Sequence, residues 1–152
     1  MISLQNDYSE GAHPSILTLL TQTNLEQSAG YGEDAYCLQA ASYIKQHLQA
    51  PQAAIHFVSG GTQSNTVIIK SVLRPHEAVI AAQSGHIAVH ETGAIEATGH
   101  KVITMPVANN GKLTPDAVRA AVSAHTDEHM VKPRMVYISQ TTEIGSVYSV
   151  AE

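Results

Sequence analysis

The chain has one cysteine, one phenylalanine and no tryptophan. A lone thiol, Cys37, excludes an internal disulfide and a cysteine-built zinc site, which suits a reducing compartment. Cys37 reads as a core filler on an amphipathic helix. There is no run of like charges, and a formal net charge of -5 gives no electrostatic footprint for nucleic acid or an anionic membrane surface. No apolar run approaches the length of a membrane span, and the opening "MISLQNDYSEG" lacks the basic and apolar regions of a targeting segment. The expectation is a cytoplasmic protein with neither nucleic acid nor membrane as a partner. Internal repeats, low-complexity tracts and linkers are missing too, so 152 residues with 43% hydrophobic content read as one domain with a sizeable core.

What is present is a regular alternation. "HPSILTLLTQTN" predicts a short helix behind an early proline, and "EDAYCLQAASYIKQHLQA" a longer one led by acids and closed by Pro51. From there short apolar runs alternate with helical stretches. "AAIHFV", "EAVIAA", "KVITMPV" and "RMVYIS" read as strands. "TQSNTVIIKSVL", "AVHETGAIEAT" and "TPDAVRAAVSAHT" read as helices, the last with Thr114 and Pro115 as its N-terminal signal, and "NNGKL" reads as a turn. This is the pattern of βαβ units: an α/β three-layer sandwich with a mostly parallel sheet.

Two stretches carry candidate chemistry. In "HFVSGGTQSN" a strand gives way to a helix across Gly60 and Gly61. Glycines at a helix N-terminus let an anion approach unpaired backbone N–H groups at the positive end of the helix dipole. Ser59, Thr62 and Ser64 add hydroxyl donors, so the segment is a candidate phosphate cup at a strand's carboxyl end. A tight, Ser/Thr-capped turn explains the same residues. The loop lacks the Gly-Lys-Ser/Thr of a Walker motif and the GxGxxG of a dinucleotide site. In "SGHIAVHETGAIEATGH", His86 and His90 are spaced as a helical metal pair would be, yet the HExxH order is absent and no third ligand is fixed, so no metal is assigned. His86, following the strand "EAVIAA", is instead placed to stack a planar ring on a bound ligand beside the glycine loop. "SYIK" matches a Ser-x-x-Lys pattern without its companion motifs, and Cys37 has no evident histidine partner, so no nucleophile stands out.

Taken together, "FVSGGTQSN", "AQSGHIAVHETGAIEATGHKV", "NNGKLTPDAV" and "MVYISQTTEIGSVYS" resemble the threonine aldolase and β-eliminating lyase family, in that family's order and spacing from about Asn6 to the last residue. The resemblance implies the aspartate aminotransferase fold and the cofactor pyridoxal 5'-phosphate. It implies that Gly61 and Thr62, with Gly60 and Gln63, serve the cofactor phosphate, and that His86 stacks on the pyridine ring and helps to move a substrate proton. Asn6 matches a position near the substrate carboxylate. Tyr31, in "GYGED", matches a tyrosine that reaches the neighbouring subunit's site, which implies a homodimer or homotetramer.

The implied reaction is cleavage of a small β-hydroxy-α-amino acid, such as threonine or allo-threonine, to glycine and an aldehyde. Where many threonine aldolases read Glu-Asn-Thr-His, this chain reads Ser139, Gln140, Thr141, Thr142. Thr142 thus stands where the family's histidine engages the substrate hydroxyl, which leaves retro-aldol cleavage and β-elimination on another amino acid both open. The family's cofactor-holding lysine, and the aspartate and arginine at the pyridine ring, fall beyond Glu152. Residues 1–152 are therefore expected to be an N-terminal segment plus part of the cofactor-binding large domain, without the small C-terminal domain and inactive alone. A truncated relative that binds a phosphate ligand or a partner subunit without catalysis, and a small flavodoxin-like phosphate binder, are the competing readings.

Overall fold

The computed structural model describes residues 10–152, which divide into two compact units with their boundary between Phe57 and Val58. The first contains helix α1 (Pro14–Thr23) and helix α2 (Ala35–His47). Proline opens α1, with the His13 ring accepting from the Ser15 N–H. Asp34 caps α2, its Oδ1 accepting from the Cys37 N–H at 2.9 Å. Both helices start where the sequence signals put them. Neither contains a buried residue, and Cys37 is half-buried rather than a core filler.

The second unit is built around a parallel sheet. Its elements run α3 (Gly61–Val72), β1 (Glu77–Ala82), α4 (His86–Val89), β2 (Val102–Met105), α5 (Pro115–Ser123) and β3 (Lys132–Tyr137), with a 3-10 turn at Glu96–Thr98. The strand order is β2-β1-β3, and β1 pairs in parallel with both neighbours. Val79 lies opposite Val102 in β2 and opposite Met135 in β3.

Because successive side chains of a strand point to opposite faces, β1 serves two cores at once. Val79 and Ala81 pack with Ile69 and Leu73 from α3 and its end, Ile87 from α4, and Ile95. Ala78 and Ile80 pack with Ile103 from β2, Leu113, and Ala121 from α5. A strand covered on both faces must be apolar throughout, and "EAVIAA" is, after its first residue. The sheet is thus sandwiched between helical layers, as the alternation predicts.

Two expectations change. "AAIHFV" is not a strand: residues 53–58 carry no ladder among the described residues. Strand conformation needs a paired backbone, and the sheet among the described residues consists of β2, β1 and β3 alone. "AVHETGAIEAT" is not one helix either. It breaks after Val89, with Thr92 at φ 49° and Gly93 at φ +75°, before the separate turn at Glu96.

Two predictions test this account. Ile69→Ala removes an α3 side chain that is 2% exposed and is expected to cost about 2–5 kcal/mol. Val67→Ala, on the open face of α3, is expected to stay within about 0.5 kcal/mol. Urea unfolding of both variants checks which face of α3 meets the sheet. At the start of β1, the Arg74 backbone N–H donates to Glu77 Oε2 at 2.9 Å, with Arg134 Nε 3.6 Å from Oε1. That amide, and then the cationic side chains nearby, hold the Glu77 carboxyl below its ordinary value of 4.5. The resulting stabilisation is complete above the unfolded-state value and is lost as pH falls through the lower folded value. The gap in unfolding midpoint between wild type and Glu77→Gln should therefore narrow in that acid range.

Candidate functional site

The carboxyl ends of β1 and β3 and the N-terminus of α3 border a cleft of ≈ 550 Å³ lined by Gly61, Asn65, His86, Glu91, residues 137–141 and Glu143. A cleft at the carboxyl ends of parallel strands is where α/β folds bind ligands. All of its lining belongs to the second unit.

Helix α3 opens on Gly60 with no side-chain cap. The first N–H groups of a helix have no intrahelical acceptor, so they need an outside partner. The Gln63 side chain does not provide it. Its Oε1 instead reaches back to accept from Ser59 N–H at 2.7 Å and Ser59 Oγ at 2.8 Å, a contact outside the helix that leaves the first N–H groups of α3 uncapped. Gly60 is extended, a conformation open to any residue. A side chain at Gly60 or Gly61 would meet nothing within 4 Å. Neither glycine is required by backbone angle or by internal packing. What they secure is open access to the helix end, which fits a phosphate group.

His86 is the first residue of α4, at the end of the turn that leaves β1. Gly85 makes that turn possible: its N–H donates to Ala82 O at 2.8 Å, and a Cβ there would lie 3.0 Å from the same oxygen. Nδ1 of His86 lies 2.8 Å from Glu91 Oε1, which also accepts from Asn65 Nδ2 at 2.7 Å. The Glu91 side chain is wholly buried, whereas that of His86 is half exposed. His90 does not share a ligand geometry with it. Its ring is tilted 54° and centred 5.5 Å away.

Among the residues singled out from sequence, Gly61 and His86 meet in the cleft. Gly60 is the adjoining N-cap, and Thr62 and Gln63 complete the same first turn of α3. Tyr31 belongs to the first unit, where it is fully exposed and borders a separate hollow with Cys37 and Phe57. Asn6 lies outside the described residues. The sequence reading gave no role to Asn65, Glu91, Tyr137 or Glu143. Asn65 had a usable signal, standing one helical turn beyond Gly61. Glu91 had none, because its approach to His86 depends on the break in the helix.

Thr142 is 5% exposed, and its hydroxyl is spent on structure. Thr142 Oγ1 lies 2.9 Å from Ser146 Oγ and accepts from the Ser146 N–H, while Ser146 Oγ donates to Asn110 O. Glu143, next along the chain, lines the cleft instead and accepts from Ser139 Oγ.

A parallel sheet between helical layers, with the ligand cleft at its strand ends, is the architecture of the large domain of fold type I pyridoxal-phosphate-dependent enzymes, of which this chain forms a part. The beta-eliminating lyase family model matches residues 11–152, and the chain belongs to that family. A low specificity L-threonine aldolase of Pseudomonas sp. (strain NCIMB 10558) is 30% identical over 145 residues, covering 94% of this chain and 41% of that protein. A protein of the same description from Pseudomonas aeruginosa is 28% identical with the same shares covered. The solved threonine aldolase of Leishmania major matches with a TM-score of 0.89 at 54% identity, over 94% of this chain and 42% of that one. The chain thus spans about two fifths of the length of these relatives.

Gln63→Ala leaves Ser59 without its acceptor. It is expected to lower stability by about 1 kcal/mol, read as a fall in the thermal midpoint with the fold retained.

Proposed function

We propose that this chain supplies the phosphate-facing and ring-facing part of a pyridoxal-phosphate-dependent lyase that cleaves a β-hydroxy-α-amino acid of the threonine type to glycine and an aldehyde. The observation that carries the reading is the uncapped, side-chain-free N-terminus of α3 opening on the same cleft as His86. The threonine aldolases among its relatives supply the substrate class.

In this reading the N–H groups of Gly61 and Thr62 hold the cofactor phosphate, with the helix dipole favouring its charge. Oriented donors replace the water that the phosphate gives up. When bound, the cofactor withdraws electrons from the substrate carbon as its Cα–Cβ bond breaks. His86 would stack on the ring and would accept or return a proton at Nε2. Asn6 serves the substrate carboxylate. Tyr31 serves a neighbouring subunit, so the working form is a homodimer or homotetramer, cytoplasmic in location. The amine that holds the cofactor is then supplied by the part of the relatives' length that this chain does not span. Residues 1–152 alone then bind phosphate without turning over, as an N-terminal segment and part of the large domain. With Thr142 engaged in the Ser146 turn, the substrate hydroxyl meets another group on that loop, and Glu143 is the candidate.

The test is complementation. Co-expressing this chain with a polypeptide that supplies the rest of a threonine aldolase's length is expected to restore aldehyde release from threonine. His86→Ala is expected to reduce it about 100-fold or more. Gly61→Glu should weaken binding of pyridoxal phosphate, followed by its absorbance. An assembled, cofactor-loaded complex that releases no aldehyde from any β-hydroxy-α-amino acid but eliminates from another amino acid would assign the β-eliminating reaction instead.

A further inference from the structure

The contact between His86 and Glu91 leads beyond that reading, although it rests on His86 having a role in the cleft. Residues five apart on a continuous α-helix point about 140° away from each other, so they cannot bond. Here they do, at 2.8 Å. The chain stops being helical at His90, turns through Thr92 and Gly93 with positive φ, and closes with Ala94 N–H donating to Glu91 O at 3.0 Å. Leaving the helix at His90, with φ -124° and ψ 7°, folds Glu91 back under His86. The break therefore exchanges an i,i+4 histidine pair for a buried carboxylate behind a single histidine.

Glu91 is held for this contact. Its Oε1 accepts from Asn65 Nδ2 on α3 as well as facing His86 Nδ1, while Oε2 is buried with no hydrogen-bond partner. A buried carboxyl with one oxygen unmet depends strongly on the donors it has. An ionised carboxylate can only accept, so the proton in the contact sits on His86 Nδ1. In the neutral ring this leaves Nε2, on the side away from Glu91, as the unprotonated nitrogen.

We propose that Glu91, fixed by Asn65, is the positioning residue that locks His86 in its Nδ1–H tautomer and so makes Nε2 the proton acceptor of the cleft. The arrangement explains why a carboxylate is buried beside the site, and why α3 contributes Asn65 one turn past the glycines. It also orients the ring, since the bond fixes its rotation about the side-chain axis.

The experiment is nitrogen-15 NMR of the His86 ring in this chain, at a pH where the ring is neutral, without cofactor. Wild type is expected to show the Nδ1–H form in excess by about tenfold or more, the ratio that a hydrogen bond to a carboxylate sustains. Glu91→Met keeps the side-chain length and removes the acceptor, and should shift the ring toward the Nε2–H form. If that variant loses its dispersed amide spectrum, Asn65→Leu combined with Glu91→Met removes the amide donor that the single variant strands and is read in its place. A wild-type ring mainly in the Nε2–H form, or a ratio unchanged in the folded variant, overturns the proposal. The readout needs no turnover, so it can fail while His86→Ala still abolishes aldehyde release in the complemented enzyme, and the reverse also holds.

Discussion

The second unit depends on the burial of β1 from both sides. Its neighbours in the sheet satisfy its backbone, and its side chains alternate between two separate apolar clusters. Val79 and Ile80 are adjacent in sequence but belong to opposite cores, and each side chain is removed from water at a gain of about 2 kcal/mol. Helix α3 is anchored to one face through Ile69, and α5 to the other through Ala121. The open end of α3 and the histidine after β1 can face each other only because one strand fixes the height of both. The cleft is a consequence of that strand.

Chemistry in the cleft is set by how the chain leaves its regular elements. Gly85 allows a turn tight enough to put His86 directly above β1. The termination of α4 after Val89 then returns Glu91 to the same histidine. After β3 the chain is stitched by its own side chains: Thr142 to Ser146, Ser146 to Asn110, Gln140 to the Tyr148 backbone, and the Tyr148 hydroxyl to Leu113 N–H. This loop supplies much of the cleft wall while spending most of its hydrogen bonds on its own shape. Such a wall is preorganised, which lowers the ordering cost when a small ligand binds.

The order of the elements and the parallel sheet were legible because they rest on local signals. "EAVIAA" is apolar on both faces, "TPDAV" carries its own cap, and the paired glycines mark the start of α3. "AAIHFV" has the same local signature as the other strands and still forms none. A strand is completed by a partner, and the partner is not a local property. The long helix predicted through "AVHETGAIEAT" failed for a related reason. Its apolar spacing continues, but Ile87 and Ile95 satisfy one core from two separate turns, and Gly93 permits the break.

The sequence by itself determined the parallel α/β class, the helix starts, the open glycine end of α3 and His86 as the aromatic group beside it. Each follows from residue chemistry acting within a turn or a strand. Only the tertiary structure decided that Asn65, Glu91 and His86 form one hydrogen-bonded set, that His90 lies outside it, and that Thr142 turns away into a loop clasp. Those outcomes depend on contacts between residues 26 positions apart, as in Asn65 to Glu91, and on the direction a broken helix takes. Periodicity cannot encode either one, because both are fixed by packing against β1.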